Sequence, residues 1–239
     1  MPLIEADATG LEVVGAAYLS QCPVLMQEIR DGIDIHGENQ KALGFPEGPE
    51  GRLKAKIFKF RLIYGGNEYS YALDPDFNTV SKRPQYWKKI IDDYYNKYRG
   101  MALWHKELML GVMKTGKYTT PTGRVFLFEM VKNRGLAEYP RTTILNYPVQ
   151  SLGADIMSVI RVSSAKRLSK VPNTLLVNTV HDSILVDTKK GNEDIICKTF
   201  HEVFNDFPRN FKKVFGSDFN LPLTCKIKAG SNWKEMKEL

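Results

Sequence analysis

The sequence predicts an α+β fold whose strands come from the two ends of the chain and whose middle, about 21 to 130, is mostly helical. Three observations carry this reading. The chain opens on a strand-like run, Leu3-Ile4-Glu5-Ala6-Asp7. Near its end, residues 175–180 and 183–188 are two strand-like apolar runs parted only by His181-Asp182, the pattern of a tight hairpin. Between these lie long stretches with apolar residues at helical spacing. A chain of 239 residues is long enough to bury a sizeable core.

After the opening strand, Leu11 to Leu19 reads as a short packed helix. Asp34 is a cap residue for a second helix beginning at Ile35-His36. Pro46, Gly48 and Pro49 interrupt the pattern over 44–51 and lead into a basic helix from Arg52 to Tyr64. A loop is expected over 65–83. Pro84 then starts a long helix carrying Trp87, Ile90, Ile91, Tyr94, Tyr95 and Tyr98. Residues 117–120 and 124–128 flank Pro121-Thr122-Gly123 as a hairpin. A helix over about 150–169 follows Pro148, with Leu152, Ile156, Val159, Ile160 and Leu168 on one face. Beyond the His181-Asp182 hairpin come a helix over about 193–206 and a final strand over 223–228.

The first residues already read as a core strand, which needs neighbours to satisfy its backbone. The chain is therefore expected to be the later part of something larger. Its net charge of +7 is compatible with a polyanionic partner without requiring one. The distribution says more: Arg52, Lys54, Lys56, Lys59 and Arg61 cluster with no acidic residue among them, although a solvated helix face would look the same. Cys22, Cys197 and Cys225 are odd in number and lack the close pairs of a structural zinc site, which fits a reducing cytosol. No stretch is apolar enough to cross a bilayer, and no signal segment is visible.

Asp7 and Asp182 each sit where an apolar run gives way to a bend. Taken singly, either is more often a turn or cap residue. Brought together, two carboxylates repel unless cations occupy the gap, and a pair of Mg²⁺ ions would resolve the repulsion and suit phosphoryl transfer. Arg52, Lys56, Phe60 and Tyr64 are spaced four apart, so each step advances about 40° beyond a full helical turn. They share one broad face. Arg52 and Lys56 could grip a triphosphate, with Phe60 and Tyr64 over the base pair. Equally, Phe60 and Tyr64 could be ordinary core aromatics, with Arg52 and Lys56 in water. Glu12, among Leu11, Val13 and Val14, could cap its helix or crowd a nucleotide sugar. Asn146 and Gln150 could test base-pair shape in a minor groove.

In order along the chain, these residues resemble DNA polymerase family A, the bacterial DNA polymerase I type, and especially its bacteriophage replicative branch. Asp7-Ala8-Thr9-Gly10-Leu11-Glu12 resembles the first palm motif, and Asp34-Ile35-His36 a segment whose histidine approaches the triphosphate. Arg52-x3-Lys56-x3-Phe60-x3-Tyr64-Gly65 resembles the fingers helix, and Val180-His181-Asp182 the second palm motif. Thr122-Gly123-Arg124, Asn146-x3-Gln150 and Ala154-Asp155 also follow the family order.

The resemblance implies a palm with an antiparallel sheet and a largely helical fingers insertion: palm over 1–20 and 131–239, fingers with the adjoining hairpin over 21–130. It implies template-directed addition of deoxynucleotides to a primer 3′-hydroxyl with release of pyrophosphate. Asp7 and Asp182 would be the catalytic carboxylates holding two Mg²⁺ ions. His36, Arg52 and Lys56 would hold the triphosphate, Phe60 and Tyr64 would shape the pair pocket, and Glu12 would be the sugar gate. Asn146, Gln150 and His181 would contact the primer-template. The partners implied are primer-template DNA and deoxynucleoside triphosphates, in a bacterial host cytoplasm during phage infection, with no membrane. Thumb and exonuclease segments precede the first palm motif in the family and are absent here. A split polymerase is therefore expected, completed by a separate N-terminal chain carrying the thumb, with room for a processivity factor. The alternatives are a folded but inert fragment, a non-catalytic nucleic-acid-binding subunit, or a single-subunit RNA polymerase fragment, the last because Ser183 stands where the DNA enzymes usually carry glutamate.

Overall fold

The computed structural model describes residues 2–133 and 136–239. The chain order is β1 (Leu3–Ala8), α1 (Leu11–Ser20), α2 (Pro23–Arg30), α3 (Ile35–Ala42), α4 (Pro49–Ile63), α5 (Glu68–Leu73), α6 (Pro75–Asn78), α7 (Pro84–Lys97) and α8 (Arg99–Thr115). It continues with β2 (Lys117–Thr119), β3 (Val125–Leu127), β4 (Val131–Asn133), β5 (Leu136–Glu138), α9 (Arg141–Leu168), β6 (Thr174–Val180), β7 (Ser183–Thr188), α10 (Glu193–Asn205), α11 (Phe207–Phe215), β8 (Cys225–Gly230) and β9 (Lys237–Glu238). This is the expected α+β class, with an antiparallel sheet and a helical majority. No helix among the described residues is long and apolar enough to cross a membrane.

The chain forms two compact units. One gathers Met1–Gly15, Pro121–Gly123 and Gln150–Leu239. Its sheet has the order β6-β7-β1-β8-β9, so the first strand of the sequence lies at the centre, between two strands from the far end of the chain. β1 alternates as a half-buried strand must: Ile4, Ala6 and Ala8 face the core, while Glu5 and Asp7 face the other side. α10 contributes Ile196, Phe200, Val203 and Phe204 to this core, and α11 contributes Phe207 and Phe211, which pack with Phe219. α11 continues beyond the helix expected over 193–206, because Pro208 sits in its first turn, where a missing N–H costs nothing.

The other unit comprises Ala16–Thr120 and Arg124–Val149. Its interior is an aromatic cluster of Phe58, Tyr71, Phe77 and Trp87, with ring centroids 4.8–6.3 Å apart. The buried polar ends are satisfied: Tyr71 Oη donates to the Phe58 carbonyl (3.0 Å) and Trp87 Nε1 to that of Ser81 (2.8 Å).

Three sequence expectations need correction. Residues 65–83 are not a loop but hold α5 and α6, whose first turns are capped by Asn67 and Asp74 and whose Tyr71 and Phe77 anchor the cluster. The helix from Pro84 ends at Lys97; Tyr98, at φ −105° and ψ 61°, separates it from α8. α9 starts nine residues earlier than expected and runs through Pro148. A proline inside a helix costs about 3 kcal/mol. Burial of Ile144, Leu145, Val149 and Leu152 along both sides of it offsets that loss.

Candidate active site

In the sheet-bearing unit, the β1–β7 register pairs Asp7 with Ser183, and the Ala8 N–H donates to the Asp182 carbonyl (2.8 Å). Asp182, in the turn that leads into β7, thus stands one register step from Asp7 on β1, although 175 positions separate them in sequence. His181 and Asp182 form the whole turn, since Val180 already pairs with Ser183. His181 has φ +52° and is exposed. A positive φ at the first central residue is what a primed two-residue hairpin turn demands, and a non-glycine residue there costs roughly 1–2 kcal/mol. Ser183 is buried, and its Oγ donates to the Val180 carbonyl (3.2 Å). It ties the turn together.

On the other side of Asp7, β8 places Lys226 directly opposite. Glu5, two residues back on the same face, accepts from Trp233 Nε1 (3.1 Å). Cys225 is also near Asp7, and burial first, then the neighbouring Cys197 and Asp7, push its thiol up to about 11. It stays protonated at neutral pH. Among the described residues there is no cluster of three or more His, Cys, Asp or Glu. Two carboxylates with only oxygen donors fit Mg²⁺, a hard cation that keeps water or phosphate in its remaining positions.

Two further predicted residues meet in the same unit. Gln150 Nε2 donates to Glu12 Oε1 (2.8 Å). Glu12 lies in the first turn of α1, where the helix dipole favours a carboxylate.

In the helical unit, α4 carries the basic row. It begins at Pro49, three residues before Arg52, because Gly51 leaves room for the chain to fold back: a Cβ there would lie 1.8 Å from the Pro46 carbonyl oxygen. Arg52 and Lys56 are exposed, while Phe60 and Tyr64 are half-buried rather than core aromatics. His36 meets Phe60 edge-on (5.8 Å between centroids), and Lys56 Nζ lies 5.5 Å from the same ring. Burial, followed by the charges of Lys59, Lys56 and Arg52, lowers His36 to about 4, so it is neutral at pH 7. Tyr64 caps the end of α4, and the Gly65 that follows abuts α9: a Cβ there would lie 2.5 Å from Leu145 Cδ1. Asn146 is the next residue on α9 and is half-buried.

Sequence reasoning missed three participants. Asp34 was expected only as a cap. It does accept from Gly37 N (3.2 Å), but it also binds both terminal nitrogens of Arg52, and that guanidinium holds its carboxyl below the usual range. Lys59 was counted with the basic face, yet it is fully buried. Lys226 carried no motif. The first and last of these depend on partners distant in sequence. Lys59 is the exception, because its offset of three from Lys56 places it off the row spaced by fours.

The family model for DNA polymerase family A matches residues 1–235. The chain is 25% identical to DNA polymerase I of Synechocystis sp. over 98% of its length, covering 24% of that protein. It is 25% identical to DNA polymerase I of Caldicellulosiruptor bescii, over 98% of its length and 27% of that protein. The chain thus spans about a quarter of the length of the curated relatives it matches. Its fold is similar to the POL domain of Pol1 from M. smegmatis, solved in complex with DNA primer-template and dNTP, at a TM-score of 0.77 and 20% identity over 98% of this chain and 40% of that one. These relatives correct the expectation of a bacteriophage replicative branch: the similarity is to the cellular, bacterial type. The short motifs that suggested the phage branch are a small part of the chain, whereas the match to bacterial enzymes runs along nearly all of it. The split-chain expectation gains no support from them.

Proposed function

The chain belongs to DNA polymerase family A, and we propose that it is the polymerising portion of a DNA-directed DNA polymerase, extending a primer 3′-hydroxyl with deoxynucleotides and releasing pyrophosphate. The observation that carries this reading is the register that sets Asp7 beside the His181-Asp182 turn. On this reading, 1–20 and 131–239 form the palm, and 21–130 form the fingers with the adjoining hairpin. Primer-template DNA and deoxynucleoside triphosphates are the partners, as the complex of the M. smegmatis domain supports.

Asp7 and Asp182 would hold two Mg²⁺ ions, which when bound activate the primer hydroxyl and stabilise charge on the leaving phosphate. The chain's own contribution is positioning. The Ala8–Asp182 backbone bond and the Ser183 hydroxyl fix the turn that carries the second carboxylate. Arg52 and Lys56 would bind triphosphate oxygens, the arginine by its planar fork and the lysine as a point charge. His36, neutral and half-buried, would offer a hydrogen bond instead of a third charge. Phe60 and Tyr64 would cover the nascent pair, Glu12 would meet the sugar, and Asn146 and His181 would lie along the primer-template.

The test is primer extension by the full-length protein with Mg²⁺. Asp182→Asn is expected to slow extension by about 10³-fold or more, since several kcal/mol of charge stabilisation are removed. Duplex binding should remain, because the basic face is untouched. Retention of full extension by Asp182→Asn would overturn the assignment.

A further inference from the structure

We propose that Gln150 is a positioning residue for Glu12, so that discrimination between deoxyribose and ribose depends on a side chain from α9 that need not touch the sugar. The inference rests on the polymerase reading and deepens it. The two residues are 138 positions apart and meet within one compact unit, Gln150 Nε2 donating to Glu12 Oε1 at 2.8 Å.

The meeting is built into the packing beneath it. Leu11 and Val13 are buried on either side of Glu12, which fixes the first turn of α1 and sends the intervening side chain outward. Gly153 lies three residues on from Gln150, on the same face of α9, and an ideal Cβ there is 3.5 Å from Leu11 Cδ2. A side chain no larger than a methyl would thus fill the space between α9 and Leu11 here, so α9 runs close to the start of α1. Two residues further along, Thr122 Oγ1 donates to the buried Asp155 at 2.6 Å and holds the helix again. Gln150 thus reaches Glu12 from a helix that runs close to Leu11 and is held by a second hydrogen bond.

A carboxylate on three rotatable bonds is a poor steric gate unless something limits its rotamers. An amide donor to one of its oxygens does this without neutralising it. The bond is exposed in the free chain and contributes little there. A nucleotide sugar lying over Glu12 would exclude water from it, and the lower local dielectric would strengthen it when the gate is in use. Gln150 then acts on sugar selection through Glu12, distinct from the minor-groove role the family order suggests.

The test measures the ratio of deoxynucleotide to ribonucleotide use by the full-length protein. Single-turnover extension and equilibrium nucleotide titration on a dideoxy-terminated primer are run for the parent, Gln150→Ala, Glu12→Ala and the double variant. Gln150→Ala is expected to lower the deoxy/ribo ratio about tenfold, which corresponds to about 1.4 kcal/mol. In the Glu12→Ala background the same change should leave the ratio unaltered. Gln150→Lys, which restores a donor, should recover part of the discrimination, whereas Gln150→Glu should lose as much or more. A residue contacting only the primer would slow both sugars equally and leave the ratio intact; that result overturns the inference while leaving the polymerase reading standing. Neither extension nor nucleotide binding by the parent would overturn both.

Discussion

At Lys59, a side chain that ordinarily carries charge is folded wholly into an aromatic interior. Its Nζ has no hydrogen-bond partner among the described residues and sits 5.3 Å from the centre of the Tyr98 ring. Burial is the main reason its pKa falls to about 7; Glu28, bonded to Tyr98 Oη (2.7 Å) and Lys97 Nζ (2.7 Å), pulls it back only in part. The unfolded chain binds this proton up to about pH 10.5 and the folded chain only to about 7, so folding stability rises with pH between those values. Lys59→Met should therefore stabilise the protein by a few kcal/mol at pH 6–7, a gain that shrinks toward pH 10. Urea unfolding at pH 6.5, 8 and 9.5 reads this directly; a gain independent of pH would contradict it. The sequence placed Lys59 among solvated cations because the identity of a residue does not reveal what covers it.

α3 and α4 illustrate what an element adds to its residues. Asp34 both caps α3 and holds Arg52 of α4, so one carboxylate fixes a helix start and occupies the cation expected to take the triphosphate. Asp34→Asn retains an N-cap and removes the charge. Stability should change by less than about 1 kcal/mol, since the Arg52 pair is half-exposed. Nucleotide binding should tighten, because Arg52 no longer has a carboxylate to leave; unchanged affinity in a fluorescence titration would show that Asp34 does not compete. The row Arg52-Lys56-Phe60-Tyr64 was legible from spacing, because helical periodicity alone sets its face. Asp34 as its partner was not, since the two residues are 18 positions apart and meet only once the bend over 44–51 folds α4 back against α3. Pro148 misled in the opposite direction. Local propensity breaks a helix there, and buried side chains on both sides of it keep α9 continuous.

For the whole molecule, the pH dependence of folding joins several buried bases of the helical unit. His105 is nearly fully buried beside Tyr95, whose hydroxyl lies 3.1 Å from Nδ1, and burial lowers it to about 4. His36 is lowered likewise. Both imidazoles are neutral when folded and titrate near 6.5 when unfolded, so the stability they leave intact is fully present above pH 6.5 and is lost as pH falls toward 4. His105 accounts for up to about 3 kcal/mol of that loss, and His36 for less because it is partly in water. His105→Leu should flatten the decline between pH 6.5 and 4.5 in urea unfolding, and an undiminished decline would assign it to other groups. By itself, the sequence determined the α+β class, the hairpin that carries Asp182 at its turn, the basic helix and the family, though not its branch, because each is written in local period or in short ordered motifs. Only the tertiary structure decided that the first strand lies at the centre of a sheet completed from the far end of the chain. It likewise decided that Glu12 meets Gln150, that Arg52 meets Asp34 and that Lys59 lies inside. The first two depend on contacts between residues distant in sequence, which periodicity cannot encode; for Lys59, periodicity sets it off the row spaced by fours but does not say what covers it.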